Sequence, residues 1–456
     1  MKNRILLIWP HLAAKERLLA TPLWSLCLAA YLKSKISNID IRILDGQINS
    51  LDTISREINR FKPDIVGISP LIHHYNIALE FARKSKLTGA RVVFGGEYAS
   101  AFRKEILKNR GPHSNDYCVD AVIQGDGERA FYQYVSEKPL AEINNLVYQE
   151  KSGIKENNVE VLDLDDTPFF DRDLIDFKKY FYENRRRLHV YAHKGCNWRK
   201  KTGGCFFCSS LDKNFRSKRP ELFVKEIERL VSKYRINTIE MIEEDFLGDL
   251  EWFKYFFRLY CKYIKGRYDH PQKAPFLSIS ARVDRITPQV VKMLKGINVG
   301  MVFMGFESGD QRCLSIAKKG ISLSDMINTV ELLDKNQIRM VVSFIVGLPN
   351  DNRKSLKKTL SLVKKLSLSN FIDFRFRGFL PLPGSPSWQM FLKKIGSKYK
   401  DKDDINWREV GIDWIKNFCN FDSHDIEWLE RELKILSQKI GKRNTNSRIF
   451  LFDKFV

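Results

Sequence analysis

Short apolar runs alternate with amphipathic stretches through the first 150 residues. Runs rich in Ile, Val and Leu at 4–9, 39–44, 64–69, 91–94 and 120–123 each stop at a polar or glycine residue and predict strands. Between them, residues 23–35, 53–61 and 76–86 space their apolar positions for helices. That rhythm predicts a doubly wound parallel sheet covered on both faces. From Arg187 the alternation resumes with a longer period, and 188–193, 238–242, 276–280, 299–305, 340–346 and 372–377 predict six more strands. Helices at 220–234, 250–264, 288–295, 323–335 and 353–366 fit between them, with Thr287-Pro288 and Ser322 to Asp325 as helix starts. Six βα units predict a partial (β/α)6 barrel.

The stretch from 146 to 179 breaks the rhythm with Gly, Asn and Asp, which predicts a small hairpin and a surface connection. Beyond Lys393 the alternation ends. Trp407, Trp414, Phe418, Phe421 and Trp428 stand among charges, and 425–439 reads as an amphipathic helix of a small helical cap. The expected division is an α/β domain at 1–145, a linker at 146–182, the partial barrel at 183–393 and a C-terminal helical region at 394–456.

A chain of 456 residues is too long for one ordinary core, in keeping with that division. Hydrophobic content of 43% and charged content of 29% suit a soluble globular protein. No apolar run approaches the ~18 residues of a membrane span, and residues 1–10 read as a first strand rather than a signal peptide. A cytoplasmic setting with reduced thiols is expected. The net charge of +22, from 77 basic and 55 acidic residues, admits nucleic acid, an anionic substrate or an acidic partner. The basic residues are spread along the chain without an RNP, KH or zinc-finger signature, so no nucleic-acid partner is expected.

The stretch KGCNWRKKTGGCFFCSS changes the picture most. Cys196, Cys205 and Cys208 are separated by eight residues and then two. Thiolates are soft metal ligands, and a CxxC turn aims two sulfurs at one point. Closed structural sites take four protein ligands, so three leave a coordination position open. A zinc site completed by His189 or His193 is the competing arrangement. Cys27, Cys118, Cys261, Cys313 and Cys419 are scattered and read as packing residues.

Polar and glycine residues gather at the predicted strand ends. In the first domain these are Asp45-Gly46, Ser69-Pro70-Leu71, Gly95-Gly96 and Gly125-Asp126-Gly127-Glu128. In the second they are Glu243-Glu244-Asp245, Ser280-Ala281-Arg282, Gly305 to Gly309, Gly347-Leu348-Pro349 and Pro381 to Pro386. Parallel α/β sheets and barrels place their ligands at these ends.

The pieces TPLWSLCLAAYL, KPDIVGIS, VVFGGEYAS and DAVIQGDGERAF resemble the cobalamin-binding domain that precedes many radical S-adenosylmethionine (SAM) enzymes. Ser69 and Leu71 fit that family's SxL element, Gly95 and Gly96 its GG element, and Gly125 and Gly127 complete the cobalamin-binding set. Where the wider family has DxHxxG, this chain reads Asp45-Gly46-Gln47-Ile48-Asn49-Ser50, with no histidine. The resemblance therefore implies cobalamin without a lower histidine ligand. His73 and His74 read as loop residues.

Residues 187–390 resemble the radical SAM fold. Carried over, Cys196, Cys205 and Cys208 hold a 4Fe-4S cluster, and Phe207 supplies the aromatic residue before the last cysteine. Glu244, beside Asp245, falls where the family contacts the SAM ammonium group, Arg282 where it pairs the carboxylate, and Glu307 where it meets the ribose. Gly347 and Leu348 leave room for the adenine. The usual CxxxCxxC spacing is widened here, with Gly203-Gly204 turning the loop back and Arg199, Lys200 and Lys201 read as a solvated run.

The resemblance implies a class B radical SAM methyltransferase. In such enzymes the reduced cluster cleaves SAM to a 5′-deoxyadenosyl radical that abstracts hydrogen from an unactivated carbon, and cobalamin delivers the methyl group. Its partners would be a peptide or small-molecule substrate and an external electron donor of flavodoxin or ferredoxin type. No catalytic side chain is expected beyond the cluster ligands. Non-methylating cobalamin-linked chemistry (cyclisation, rearrangement or oxidation) and RNA modification are the alternatives. No second cysteine triad accompanies the first domain, which counts against a methylthiotransferase.

Overall fold

In a computed structural model, residues 3–12, 19–109, 117–182, 185–210, 212–268, 273–399, 405–443 and 448–451 are described. The chain divides into two compact units, Met1–Arg186 with Ser397–Ile405, and Arg187–Gly396 with Asn406–Val456.

The first unit is built on a seven-stranded sheet in the order β2-β1-β3-β4-β5-β6-β7. Its strands are β1 (Asn3–Trp9), β2 (Ile39–Asp45), β3 (Ile65–Ile68), β4 (Arg91–Phe94), β5 (Ala121–Ile123), β6 (Leu146–Glu150) and β7 (Gly153–Glu156). The first five run parallel. Ile5, Leu6, Leu7 and Ile8 of β1 are all fully buried, because helices cover both faces and leave no solvent side to alternate toward. The chain leaves β1 for β2 on one side and returns to β3 on the other. That reversal opens a crevice at the carboxyl ends of β1 and β3, where such sheets bind ligands.

The segment expected as a linker belongs to this unit. β6 pairs antiparallel with β5, and β7 with β6, so the hairpin extends the sheet. Burial of Leu146, Val147 and Tyr148 drives the pairing. The following turns are also tied down: Tyr180 donates its hydroxyl to buried Asp45 at 2.6 Å, and Lys33 pairs with Asp171 at 3.5 Å.

The second unit carries an all-parallel seven-stranded sheet. Its strands are β8 (Arg187–Val190), β11 (Thr238–Met241), β12 (Phe276–Ser280), β13 (Val299–Glu307), β14 (Arg339–Val346), β15 (Ile372–Gly378) and β16 (Ile449–Leu451), in the order β16-β15-β14-β13-β12-β11-β8. The six expected βα units are present, and the helix starts behave as read. Thr287 accepts from Val290 N at 3.3 Å, and Ser322 with Asp325 forms a reciprocal capping box.

Two expectations are corrected. The strand expected over 188–193 ends at Val190. His193–Lys194 (β9) instead pairs antiparallel with Arg216–Ser217 (β10), because Ala192 O accepts from Lys218 N at 2.8 Å and turns the chain. The C-terminal region is not helical throughout, since β16 returns to pair with Phe374–Phe376. Three residues are too few for periodicity to reveal.

Trp407, Trp414 and Phe418 of the C-terminal helix Trp407–Phe418 are buried. Trp414 stacks on Phe379 and Phe418 at ring separations of 4.5 and 4.3 Å. Trp428 stays half-exposed under the guanidinium of Arg353.

At the β8 edge, Glu240 accepts from Arg187 at 2.8 Å and lies 3.0 Å from His189 Nε2. Burial works to raise its pKa, but His189 and Arg187 outweigh it and hold the carboxyl at about 2. A depressed carboxylate stabilises the fold above its ordinary value, and that contribution disappears as the pH falls from about 4.5 toward 2. Glu240→Gln should therefore flatten acid unfolding in that window. The difference from wild type, on the order of 3 kcal/mol between pH 5 and pH 2, is checked by urea titrations at a series of pH values.

Candidate active site

The interval between Cys196 and Cys205 is a single helical turn closed by a glycine pair. Cys196 precedes the helix Asn197–Thr202. Gly203 and Gly204 both take positive φ, 83° and 90°, and bring the chain back. Cys208 N then donates to Cys205 O at 3.1 Å, closing the CxxC turn. Arg199, read as part of a solvated run, folds in and donates to Cys208 O at 3.2 Å, whereas Lys200 and Lys201 are exposed.

All three thiols are half-buried and free of disulfides. Burial pushes the Cys205 thiol up to about 11, against the pull of Lys319. Burial also raises Cys196, opposed by the N–H groups of Arg199 and Trp198 at the start of the helix. Arg282 acts electrostatically on both sulfurs. Among the described residues no three His, Cys, Asp or Glu side chains are already gathered as a metal cage. The donor set is a glycine-flanked loop of soft ligands beside two cations, which suits an anionic thiolate-bound cluster.

The acidic end of β11 separates into three roles. Glu243 points inward, one oxygen accepting from Ala192 N at 3.3 Å, and burial pushes it up to about 8. Asp245 is fully buried and receives Arg282 N at 3.4 Å, with burial raising it to about 6. Glu244 alone is exposed.

After β12, Arg282 is 6% exposed and tightly held. Its Nε donates to Asp284 at 2.9 Å and its Nη2 to Lys319 O at 3.0 Å. Nη1 donates to no partner among the described residues, so one edge of the fork remains. At the end of β13, Glu307 sits in the left-handed region with φ 63°, a strained conformation for a side chain of this kind. Its Oε1 accepts from the buried Lys319 ammonium at 2.8 Å. Lys319 lies 5.8 Å from the Phe207 ring centroid, which places the aromatic residue of the CxxC turn over the same cation.

Gly347 and Leu348 end β14 beneath the C-terminal helix. Gly347 O accepts from Trp414 Nε1 at 2.8 Å, and Leu348 is fully buried. Thus Cys205, Phe207, Arg282 and Glu307 form one connected group centred on Lys319. Cys196 joins it through Arg282. Lys319 and Trp198 escaped the sequence reading; the only signal was the dipeptide Lys319-Gly320 after a short helix.

In the first unit, Ser69 follows β3 and Gly96 follows β4 with φ 87°. A Cβ on Gly96 would lie 2.5 Å from Ser69 Oγ, so only glycine allows that approach. Gly95 has room around it: a Cβ there would meet nothing nearer than Ile123 O, at 3.8 Å. Leu71 is exposed. Gly125 also has a positive φ and donates to Ser100 Oγ at 3.3 Å, while Gly127 precedes the helix Glu128–Val135.

The 45–50 stretch begins on the last residue of β2, the strand on the opposite side of β1 from β3, and Gly46 N donates to Trp9 O at 2.8 Å. Gln47 there is occupied, its amide bridging Ala20 O and Asp45 at 2.7 and 2.9 Å. The histidine nearest the crevice in the chain order is His11, after β1, whose ring lies edge-on to His74 at 5.1 Å. Burial and the neighbouring His11 and His73 lower His74 to about 4, keeping it neutral.

Family models match both units. Residues 12–135 match the B12 binding domain and residues 190–363 the radical SAM superfamily. An uncharacterized methyltransferase of Pyrococcus horikoshii is 28% identical over 89% of this chain and 86% of its own length. The anaerobic magnesium-protoporphyrin IX monomethyl ester cyclase of Rubrivivax gelatinosus is 25% identical over 75% of this chain and 62% of its own.

Two solved structures share the fold. TsrM of Kitasatospora setae, a radical SAM methyltransferase with cobalamin and a [4Fe-4S] cluster bound, superposes with a TM-score of 0.70 at 16% identity, covering 86% of this chain and 75% of its own. The cobalamin-dependent radical SAM enzyme OxsB gives 0.75 at 17% identity, covering 96% and 67%. The chain belongs to the radical SAM enzymes that carry a B12-binding domain. It is a cobalamin-dependent member, and the cofactors of that class are a 4Fe-4S cluster, SAM and cobalamin. Among the described residues no helix is long and apolar enough to cross a membrane.

Replacing Lys319 by Met should leave the Glu307 carboxylate buried without its cation. The expected loss is about 3–5 kcal/mol, because an unpaired buried charge costs more than the pair itself contributes. Glu307→Gln combined with Lys319→Met should recover part of it, as measured by thermal denaturation of the metal-free protein.

Proposed function

We propose that this chain is a methyltransferase acting on an unactivated carbon of a peptide or small molecule. The observation that carries the reading is the connected group of Cys205, Lys319, Glu307 and Arg282, which joins the ends of β12 and β13 to the cysteine loop, in a chain that also has a B12-binding sheet. The methyltransferase relative matched along 89% of the chain supports it.

In this reading Cys196, Cys205 and Cys208 hold the cluster, and Phe207 shields it from water. Arg282 offers its Nη1 edge to the SAM carboxylate, a charge-assisted contact. Exposed Glu244 takes the ammonium group. Glu307 keeps Lys319 on one oxygen and turns the other to the ribose, while Gly347 and Leu348 floor the adenine. In the first unit Ser69, Leu71, Gly95, Gly96, Gly125 and Gly127 line the cobalamin crevice, with Gln47 committed to the fold rather than to cobalt. When bound, the cluster supplies an electron from an external flavodoxin- or ferredoxin-type donor for SAM cleavage, and cobalamin supplies methyl-carrying capacity. The protein's own work is to orient these groups and exclude water. No side-chain acid or base is assigned to the chemistry.

The cyclase relative favours a second reading, a non-methylating reaction on the same cofactors. Mass analysis of the product separates the two: a gain of one methyl group supports methyl transfer, and a product without it overturns it.

Anaerobically reconstituted protein should hold about four irons, and Cys205→Ala should lose both iron and SAM cleavage. Full SAM cleavage by that variant would remove Cys205 from the ligand set. Gly96→Ala, which drives a methyl into Ser69, should weaken cobalamin binding at least roughly tenfold with iron content unchanged, as read by corrin absorbance after gel filtration.

A further inference from the structure

The widened interval between Cys196 and Cys205 holds one large aromatic side chain, and three neighbours fix it. The Trp198 indole lies over Arg282, with 4.4 Å from the guanidinium carbon to the ring centroid. Its Nε1–H donates to Lys318 O at 3.0 Å. Its far edge presses on Gly320, where φ is 67° and a Cβ would fall 2.2 Å from the ring. No side chain other than hydrogen fits there. Arg282 is thus covered on one face by the indole and held in its plane through Nε and Nη2. A guanidinium restrained in this way presents its remaining Nη1 edge in one orientation.

We infer that Trp198 is a positioning residue for SAM, clamping Arg282 so that the free edge of its fork meets the carboxylate. The inference rests on the reading of Arg282 as the carboxylate partner. The lengthened cysteine loop acquires a purpose from it, since the helical turn between Cys196 and Gly203 is what delivers the indole to Arg282. A desolvated cation over an aromatic face is held more strongly than an exposed one. Without the indole, the guanidinium gains water and rotamer freedom that binding must then remove.

The test measures SAM binding by equilibrium dialysis on anaerobically reconstituted protein with the cluster oxidised, so that no turnover occurs. Decarboxylated SAM serves as the comparison ligand. Trp198→Ala should raise the dissociation constant for SAM roughly tenfold and leave that for decarboxylated SAM unchanged, with iron content as in wild type. Trp198→Phe keeps the aromatic face and should stay within about threefold of wild type. Gly320→Ala, which pushes the indole away from the opposite side, should behave as Trp198→Ala. Equal weakening of both ligands, no weakening of either, or loss of iron in both Trp198→Ala and Gly320→Ala would overturn the clamp. If Arg282→Ala binds SAM as wild type does, the carboxylate reading itself fails. If Arg282→Ala weakens SAM binding and Trp198→Ala does not, only the clamp is lost.

Discussion

The buried ammonium of Lys319 is the fixed point of the second unit's site. A cation withdrawn from water must be balanced nearby, and Glu307 does so at 2.8 Å. That demand reaches into the backbone. Glu307 adopts a left-handed conformation, and Gly305 has no side chain because a Cβ would lie 2.0 Å from the Glu307 carboxylate. Lys319 then lends its carbonyl to Arg282 and its charge to Cys205. One buried ion pair thereby ties the ends of β12 and β13 to the cysteine loop.

The two units solve the same binding problem with different means. In the first, the sheet reversal between β1 and β3 creates the crevice, and close backbone approach at Gly96 and Ser69 shapes it. In the second, the strand ends contribute the buried charges of Arg282 and Glu307, and both are tied to Lys319 in the turn after a short helix. Asp245 illustrates the division: by sequence it resembles a ligand-binding acid, yet its carboxylate supports the backbone of Arg282.

Much of this was legible in the chain itself. Helices such as Leu23–Lys35, Pro220–Tyr234 and Arg353–Leu366 have the expected limits. Arg282 and Glu307 stood out because they follow apolar strands. What escaped depended on distant partners. Trp198 meets Lys318, 120 residues away, and nothing in KGCNWRKKTGGC distinguishes it from a surface aromatic residue. The small hairpin expected in the 146–179 stretch is present as β6–β7, but its pairing with β5 depends on a strand that turn signals do not reveal. In the 45–50 stretch, motif spacing alone could not show that the strand before it lies at the sheet edge.

The late return of β16 has a consequence for how the second unit is made. Its contact with β15 spans 75 residues, from Arg448 N to Asp373. Until that segment leaves the ribosome, β15 is the outer strand of the growing sheet, with Phe374 and Phe376 in a row of unpaired backbone groups. Such an edge is a template for pairing with another chain, and a contact so distant in sequence forms slowly. The three residues of β16 therefore act as a cover for the edge of β15, and their pairing closes the route to self-association along that strand.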